Sequence, residues 1–169
     1  MEYRIEDTFD VSADRYWEMF FSEEYNAALW PALDIGWELL AFERTGEGAQ
    51  TRIHREQRLT PRREVPKFLS KLVSGAITYL EKNDYVAADG AMKTVTIPGF
   101  AADRIHTVGT YRVVPLGAQQ CKRVWEGVAD CKIPLVGGKI EKHLVEEIRE
   151  SYRRTTAFTR KWLAEHPAG

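Results

Sequence analysis

The chain has 169 residues, 44% hydrophobic and 29% charged, enough to build one sizeable core without a metal or a disulfide. Its 24 Lys and Arg nearly balance 25 Asp and Glu, a net charge of −1, which argues against general affinity for nucleic acid. No apolar run reaches the ~20 residues of a membrane span, and the start Met1-Glu2-Tyr3-Arg4 lacks a signal-peptide pattern, so one cytoplasmic domain over residues 1–169, without stable membrane insertion, is expected.

Tyr3 to Val11 alternates apolar Tyr3, Ile5, Phe9 and Val11 with polar Arg4, Glu6, Thr8 and Asp10. That is the pattern of a half-buried strand, with Asp7 the one charge on its inner side. Ser12 offers an N-cap to a helix through Phe21, and a second short helix runs from Glu23 to Leu29, stopping before Trp30-Pro31. From Gly36 the period becomes that of sheet. Strands are predicted over Gly36 to Arg44 and Gln50 to Thr60, joined at Thr45-Gly46-Glu47-Gly48. Pro61 to Gly75 combines Arg62, Arg63, Lys67 and Lys71 with Phe68, Leu69, Leu72 and Val73, and reads as a short amphipathic helix or lid. Ile77 to Ala87 and Ala91 to Pro98 form a hairpin at Asp89-Gly90. Arg104 to Val114 and Cys121 to Ile133 make the last pair, turning at Pro115-Leu116-Gly117. Both exceed the usual 5–6 residues, which predicts a long, strongly curved sheet.

Lys139 to Glu165 contains neither Gly nor Pro and forms one long helix. Ile140, Leu144, Val145, Ile148, Tyr152, Phe158, Trp162 and Leu163 fall on one arc of it, with Lys142, Glu146, Arg149 and Arg153 opposite. The class is therefore α+β: a seven-stranded antiparallel sheet wrapped around a C-terminal helix, with two short helices after the first strand. The two cysteines, Cys121 and Cys131, lie in one extended run, roughly 33 Å apart. A disulfide needs Cα atoms within about 7 Å, so both are expected to be free thiols in the core.

This order of elements resembles the helix-grip fold of the START-like superfamily, which includes pollen-allergen-like proteins, lipid-transfer domains and polyketide cyclases. Val128-Ala129-Asp130-Cys131-Lys132-Ile133-Pro134-Leu135-Val136-Gly137-Gly138-Lys139-Ile140-Glu141 looks like that superfamily's last-strand-to-helix junction, and is similar to one bacterial family of unknown function within it. The resemblance implies an internal cavity between sheet and long helix that holds an apolar ligand. It supplies no catalytic residue, because the fold hosts many unrelated activities.

The residues themselves point to a cavity as well. Ser151, Thr155 and Thr159 recur every four residues along the middle of the apolar arc, where a tightly packed helix would carry Leu or Ile. Small hydroxyl side chains leave room over the sheet; the alternative is that they bond the carbonyl four residues back beneath filling aromatics. Trp37, Leu39, Tyr79, Tyr85, Tyr111, Arg123 and Trp125 share the inward parity of their strands and, with Ile148 and Tyr152, are the candidate lining. An inward Arg123 calls for a partner or an anionic ligand group, unless it is a wet arginine near a strand end. Phe68, Leu72 and Phe100 are the candidate gate.

No GxSxG, phosphate loop, CxxC or HExxH motif is present, so no cofactor or metal is expected; His54 and Glu56 on one strand face make only a weak ligand pair. The leading reading is a carrier of a hydrophobic or lipid-like small molecule. The alternatives are a cyclase- or dehydratase-type cavity enzyme using Tyr79, Glu81 and Arg123, and a protein-interaction module with a filled core.

Overall fold

The computed structural model describes residues 1–167. Strand β1 (Glu2–Phe9) is followed by helices α1 (Ala13–Phe21) and α2 (Glu23–Ala32). Strands β2 (Ile35–Thr45), β3 (Arg52–Pro61), β4 (Tyr79–Val86), β5 (Ala91–Pro98), β6 (Ile105–Gly117) and β7 (Gln120–Cys131) come next, then helix α3 (Gly137–Glu165). All strand pairs are antiparallel, in the order β1-β7-β6-β5-β4-β3-β2. The two short helices carry the chain from one sheet edge to the other. This is the helix-grip architecture.

Local chemistry fixes the helix ends. Ser12 Oγ accepts the Arg15 N–H at 3.2 Å, and Ser22 Oγ accepts the Tyr25 N–H at 3.3 Å while donating to the Met19 carbonyl at 2.8 Å. One serine thus closes α1 and opens α2. Helix α2 continues through Pro31 to Ala32 instead of ending at Leu29. Pro31 stands in the last turn, where the Leu33 N–H still reaches the Leu29 carbonyl at 3.1 Å, so the fixed ring interrupts little that follows it.

Residues 62–78 differ from the expected helix. They form successive turns, with Leu69 N–H on the Pro66 carbonyl and Leu72 N–H on the Leu69 carbonyl, both at 2.8 Å. Pro61 and Pro66 each withhold an N–H and bias the residue before them away from helix, and Gly75 sits at φ +88°. Pairing of β6 with β7 continues to Gly117–Gln120 through a bulge near Leu116, so the turn lies beyond Pro115-Leu116-Gly117.

The inner face carries the core. Tyr3, Phe9, Tyr16, Tyr111 and Trp125 are buried together, and the Tyr16 and Tyr111 hydroxyls share a hydrogen bond of 2.6 Å. Gly109 and Gly127 face each other across β6 and β7. A Cβ on Gly109 would stand 2.8 Å from the Trp125 ring, and one on Gly127 would stand 2.8 Å from the Tyr3 hydroxyl. The paired glycines let two large rings lie flat on the sheet.

Arg123 is completely buried. Its Nη2 donates to Asp7 Oδ2, on the facing residue of β1, and to Thr156 Oγ1 of α3 at 2.5 Å. Its guanidinium also lies 4.9 Å from the Tyr152 ring centre and 5.2 Å from that of Phe9. One cation therefore ties both strands to the helix.

Two predictions follow from this packing. Asp7→Ala should cost about 3 kcal/mol in urea unfolding by stranding a buried charge, whereas Asp7→Leu with Arg123→Met should recover most of that loss. Burial pushes the Cys121 thiol up to about 11, and Cys131 is buried too. Both should stay silent to Ellman's reagent until denaturant is added; rapid reaction in the folded state would contradict this placement.

Candidate functional site

A cavity of about 240 Å³ lies between the inner sheet face, α2 and α3. It reaches the surface beside Arg63 and Glu64, which are exposed. Aromatic rings dominate its wall: Phe20, Tyr25 and Trp30 from the short helices, Tyr111 and Trp125 from the sheet, and Tyr152 from α3. Trp125 and Tyr152 stack with their ring centres 6.0 Å apart.

The floor is polar because the strand register aligns polar residues in two rows. Gln57, Glu81, Thr96 and Thr107 face one another across β3 to β6, and Arg55, Asn83 and Thr94 form the neighbouring row. Glu81 Oε1 accepts from Gln57 Nε2 at 2.9 Å and from Asn83 Nδ2 at 3.2 Å. Both bonds fall on one oxygen, which leaves Oε2 for the cavity. Arg55 is buried, donates from Nε to Asn83 Oδ1 at 2.9 Å, and lies 4.9 Å from the Phe20 ring centre. Burial pulls its pKa below the usual arginine value, while the Glu81 carboxylate opposes that shift. Arg55, Glu81, Thr96 and Thr107 all line the cavity.

At the mouth, Arg63 and Glu147 form an ion pair linking the 61–66 segment to α3. Beside them the Tyr79 hydroxyl is pushed up to about 12, first by burial and then by Glu147, so it stays a neutral donor at physiological pH. Burial also raises the Tyr111 and Tyr152 hydroxyls. The cavity therefore offers neutral phenols and hydroxyls, with Glu81 and Arg55 at its floor and the Arg63–Glu147 ion pair at its mouth. Among the described residues, no group of three or more His, Cys, Asp or Glu side chains is arranged to hold a metal ion.

Residues 4–163 match the family model described as Protein of unknown function (DUF2505). The chain belongs to that family. No curated protein matches the sequence. Among solved structures it is similar to the Zhui aromatase/cyclase from a Streptomyces species, with a TM-score of 0.64 and 13% identity over 100% of this chain and 96% of that one. A START superfamily protein from Mycobacterium smegmatis superposes with a TM-score of 0.62 at 16% identity, covering 96% of this chain and 98% of that one. Norcoclaurine synthase from Thalictrum flavum, in complex with dopamine and hydroxybenzaldehyde, gives 0.57 at 21% identity over 100% and 89%. At such identities the likeness is one of fold: a START-type helix-grip domain.

Of the lining expected from the sequence, Tyr79, Tyr111, Trp125, Ile148, Tyr152 and Thr155 surround the cavity, together with Glu81 and Ser151. Five residues stand elsewhere, Tyr85 among them, buried with its ring centre 4.5 Å from that of Trp17. Trp37 is half-buried with its indole N–H on Gln57 Oε1 at 2.9 Å, which uses it to orient the floor from outside the cavity. Leu39 keeps the inward parity, opposite Gln57, but it stands on the edge strand β2 beside the register shift between Leu39 and Ala41, and it is 43% exposed. Arg123 is sealed in its own pair with Asp7. Thr159 is fully buried, bonded to the Tyr25 hydroxyl and to the Thr155 carbonyl, both at 2.7 Å.

The expected gate residues do not line the cavity either. Phe68 turns its ring edge to His143 at 5.5 Å, Leu72 is exposed on its turn, and Phe100 packs half-buried against the core. Pro61, Arg63, Glu64, Pro66 and Ile77 form that wall instead, because the prolines hold the segment extended along the mouth. Sequence reading missed Arg55, Gln57 and Asn83. The available signal was parity, since Arg55 and Gln57 share the inward face of β3 with buried Ile53 and Leu59.

Thr155 satisfies both readings of the small-residue row: it lines the cavity, and its Oγ1 donates to the Ser151 carbonyl at 2.9 Å. Thr155→Phe should consequently be near neutral in urea unfolding, since the ring enters open volume. A loss of about 1–3 kcal/mol, the usual cost of overpacking, would mean the volume closes in solution.

Proposed function

We propose that this protein binds a small, mostly apolar and uncharged molecule in the cavity, with a hydrogen-bond donor directed at Glu81. The observation that carries the reading is the floor: one unshared carboxylate oxygen and a buried guanidinium inside an aromatic wall. A polar pair this enclosed rejects apolar ligands with no complementary group, because its oxygen would lose water and gain nothing. Arg55 and Glu81 offset each other, so a ligand with a net charge would enter uncompensated. The reading narrows the lipid-like ligand expected from sequence towards neutral molecules and away from free fatty acids. An open volume of this size counts against the filled-core interaction module.

A second reading, acid–base chemistry of the cyclase or dehydratase kind, draws on the same Glu81 oxygen with Tyr79 nearby on β4. Arg123 drops out of it, and Arg55 takes the cationic place. Incubation separates the two readings, because a carrier returns its ligand chemically unchanged.

The test uses N-phenylnaphthylamine, a neutral aromatic N–H donor, and its sulfonated counterpart, anilinonaphthalene sulfonate. The neutral dye should brighten on binding and the anionic one should not. Glu81→Gln keeps the shape and the Oε1 acceptor but places an amide where Oε2 stood. It should weaken the neutral dye about tenfold, the worth of one bond to a charged acceptor, with little change in melting temperature. Equal binding of both dyes, or no effect of Glu81→Gln, would overturn the reading.

A further inference from the structure

We propose that the end of the molecule built from the Lys67–Leu72 turn and the Lys132–Val136 loop docks on an anionic lipid bilayer, with Leu135 entering the acyl region. Leu135 is the starting observation. It is 106% exposed, more open than any other large apolar side chain among the described residues. Its backbone is also left-handed, with φ +69°, a region that leucine disfavours and glycine adopts freely. Among the described residues no core contact of the side chain offsets this strain.

The loop holds Leu135 out because it is fastened on both sides. The Gly137 N–H reaches back to the Ile133 carbonyl at 2.9 Å, and the Lys132 N–H bonds the Arg104 carbonyl at 2.8 Å. Gly137 is buried so closely against Cys131 that a Cβ there would stand 2.6 Å from the Cys131 carbonyl oxygen. The neighbouring turn is fastened too. Leu69 is buried beneath it, Phe68 meets His143, and the Lys139 ammonium lies 4.6 Å from the Phe68 ring centre. Leu72 remains 40% exposed. Two anchored segments therefore offer apolar side chains at the start of α3.

Charge decides the occupant. Residues 66–72 and 132–142 carry five lysines, Lys67, Lys71, Lys132, Lys139 and Lys142, in a chain whose net charge is −1. The single carboxylate in these stretches, Glu141, accepts the Cys131 N–H at 3.0 Å. Among the described residues Lys67, Lys71, Lys132 and Lys139 have no carboxylate within 4 Å and are exposed. Exposed lysines around an uncovered leucine match a surface that is anionic outside and apolar within. A nucleic acid or an acidic peptide would answer the lysines and leave Leu135 in water. With no helix among the described residues long and apolar enough to cross a membrane, the attachment is peripheral. Phe68 packs on His143, a cavity-lining residue, so the docked face adjoins the cavity mouth.

Sedimentation with vesicles tests the proposal without any cavity ligand, so its outcome is independent of the binding reading. The native chain should pellet with phosphatidylcholine vesicles containing about one third phosphatidylglycerol, and remain in solution with pure phosphatidylcholine. Lys67→Ala with Lys71→Ala should weaken binding about fivefold per lysine. Leu135→Gly is the decisive variant. It should raise the melting temperature by relieving the left-handed strain, yet weaken vesicle binding about tenfold by removing the anchor. Opposite movements of stability and binding would establish the role. Absence of anionic vesicle binding, binding unaltered by Leu135→Gly, or a lowered melting temperature in that variant would each overturn it.

Discussion

One helix has to cover seven strands. Seven strands set about 4.8 Å apart place the outer two roughly 29 Å from each other, whereas a helix with its side chains is only about 10–12 Å across. A flat sheet would leave most of its inner face in water. The chain curls the sheet, lays α3 across β7 and β1, and brings α1 and α2 over the strands that α3 misses. The volume between α2 and α3 is where neither helix reaches the sheet. The cavity follows from that geometric shortfall, and the short helices determine how much of it remains.

Two buried arginines show how the same inner face serves different ends. Arg123 and Arg55 both point inward from central strands, and each stacks against aromatic rings. Arg123 has a carboxylate directly opposite it on β1 and a hydroxyl from α3 above it. Its charge is matched inside the protein by Asp7, and its Nε and Nη1, which have no hydrogen-bond partner, are buried away from the cavity wall. Arg55 has the neutral Asn83 opposite, and the nearest carboxylate, Glu81, lies one register step away, already holding Gln57 and Asn83 through one oxygen. The first arginine is structural because a carboxylate meets it within the fold and it stands outside the cavity; the second stands in a network with an unused oxygen.

That difference explains what the sequence could reveal. Alternation and turn residues place every strand, and the four-residue spacing of Ser151 and Thr155 marks the helix face over the cavity, because these are local patterns. The succession of seven strands along the chain and the long helix were legible for the same reason. Which inward arginine is free is decided by the residue across the sheet. Asp7 and Arg123 are 116 positions apart in the chain. Without the β1–β7 pairing, Arg123 looked like the ligand contact and Arg55 did not stand out. Leu39 went astray differently: its parity was right, but parity does not show that β2 is an edge. Phe68 and Leu72 stand off the cavity because two prolines replaced an expected helix with an extended wall, and Phe100, on the loop after β5, packs against the core instead.

The same logic limits what likeness in fold can carry. A helix-grip domain needs alternating strands, tight turns and one amphipathic helix, demands that many sequences meet, and 13% identity to an aromatase/cyclase is enough for a TM-score of 0.64. Ligand choice rests on far fewer positions. Under the proposed function they are, in this chain, Glu81, Arg55 and the residues that orient them, Gln57, Asn83 and, through Gln57, Trp37. Changing any of these would leave the strand pattern intact and alter what the cavity accepts. Fold is held by the many residues that repeat a pattern, and function by the few that break it: polar side chains at positions where alternation alone would have put leucine.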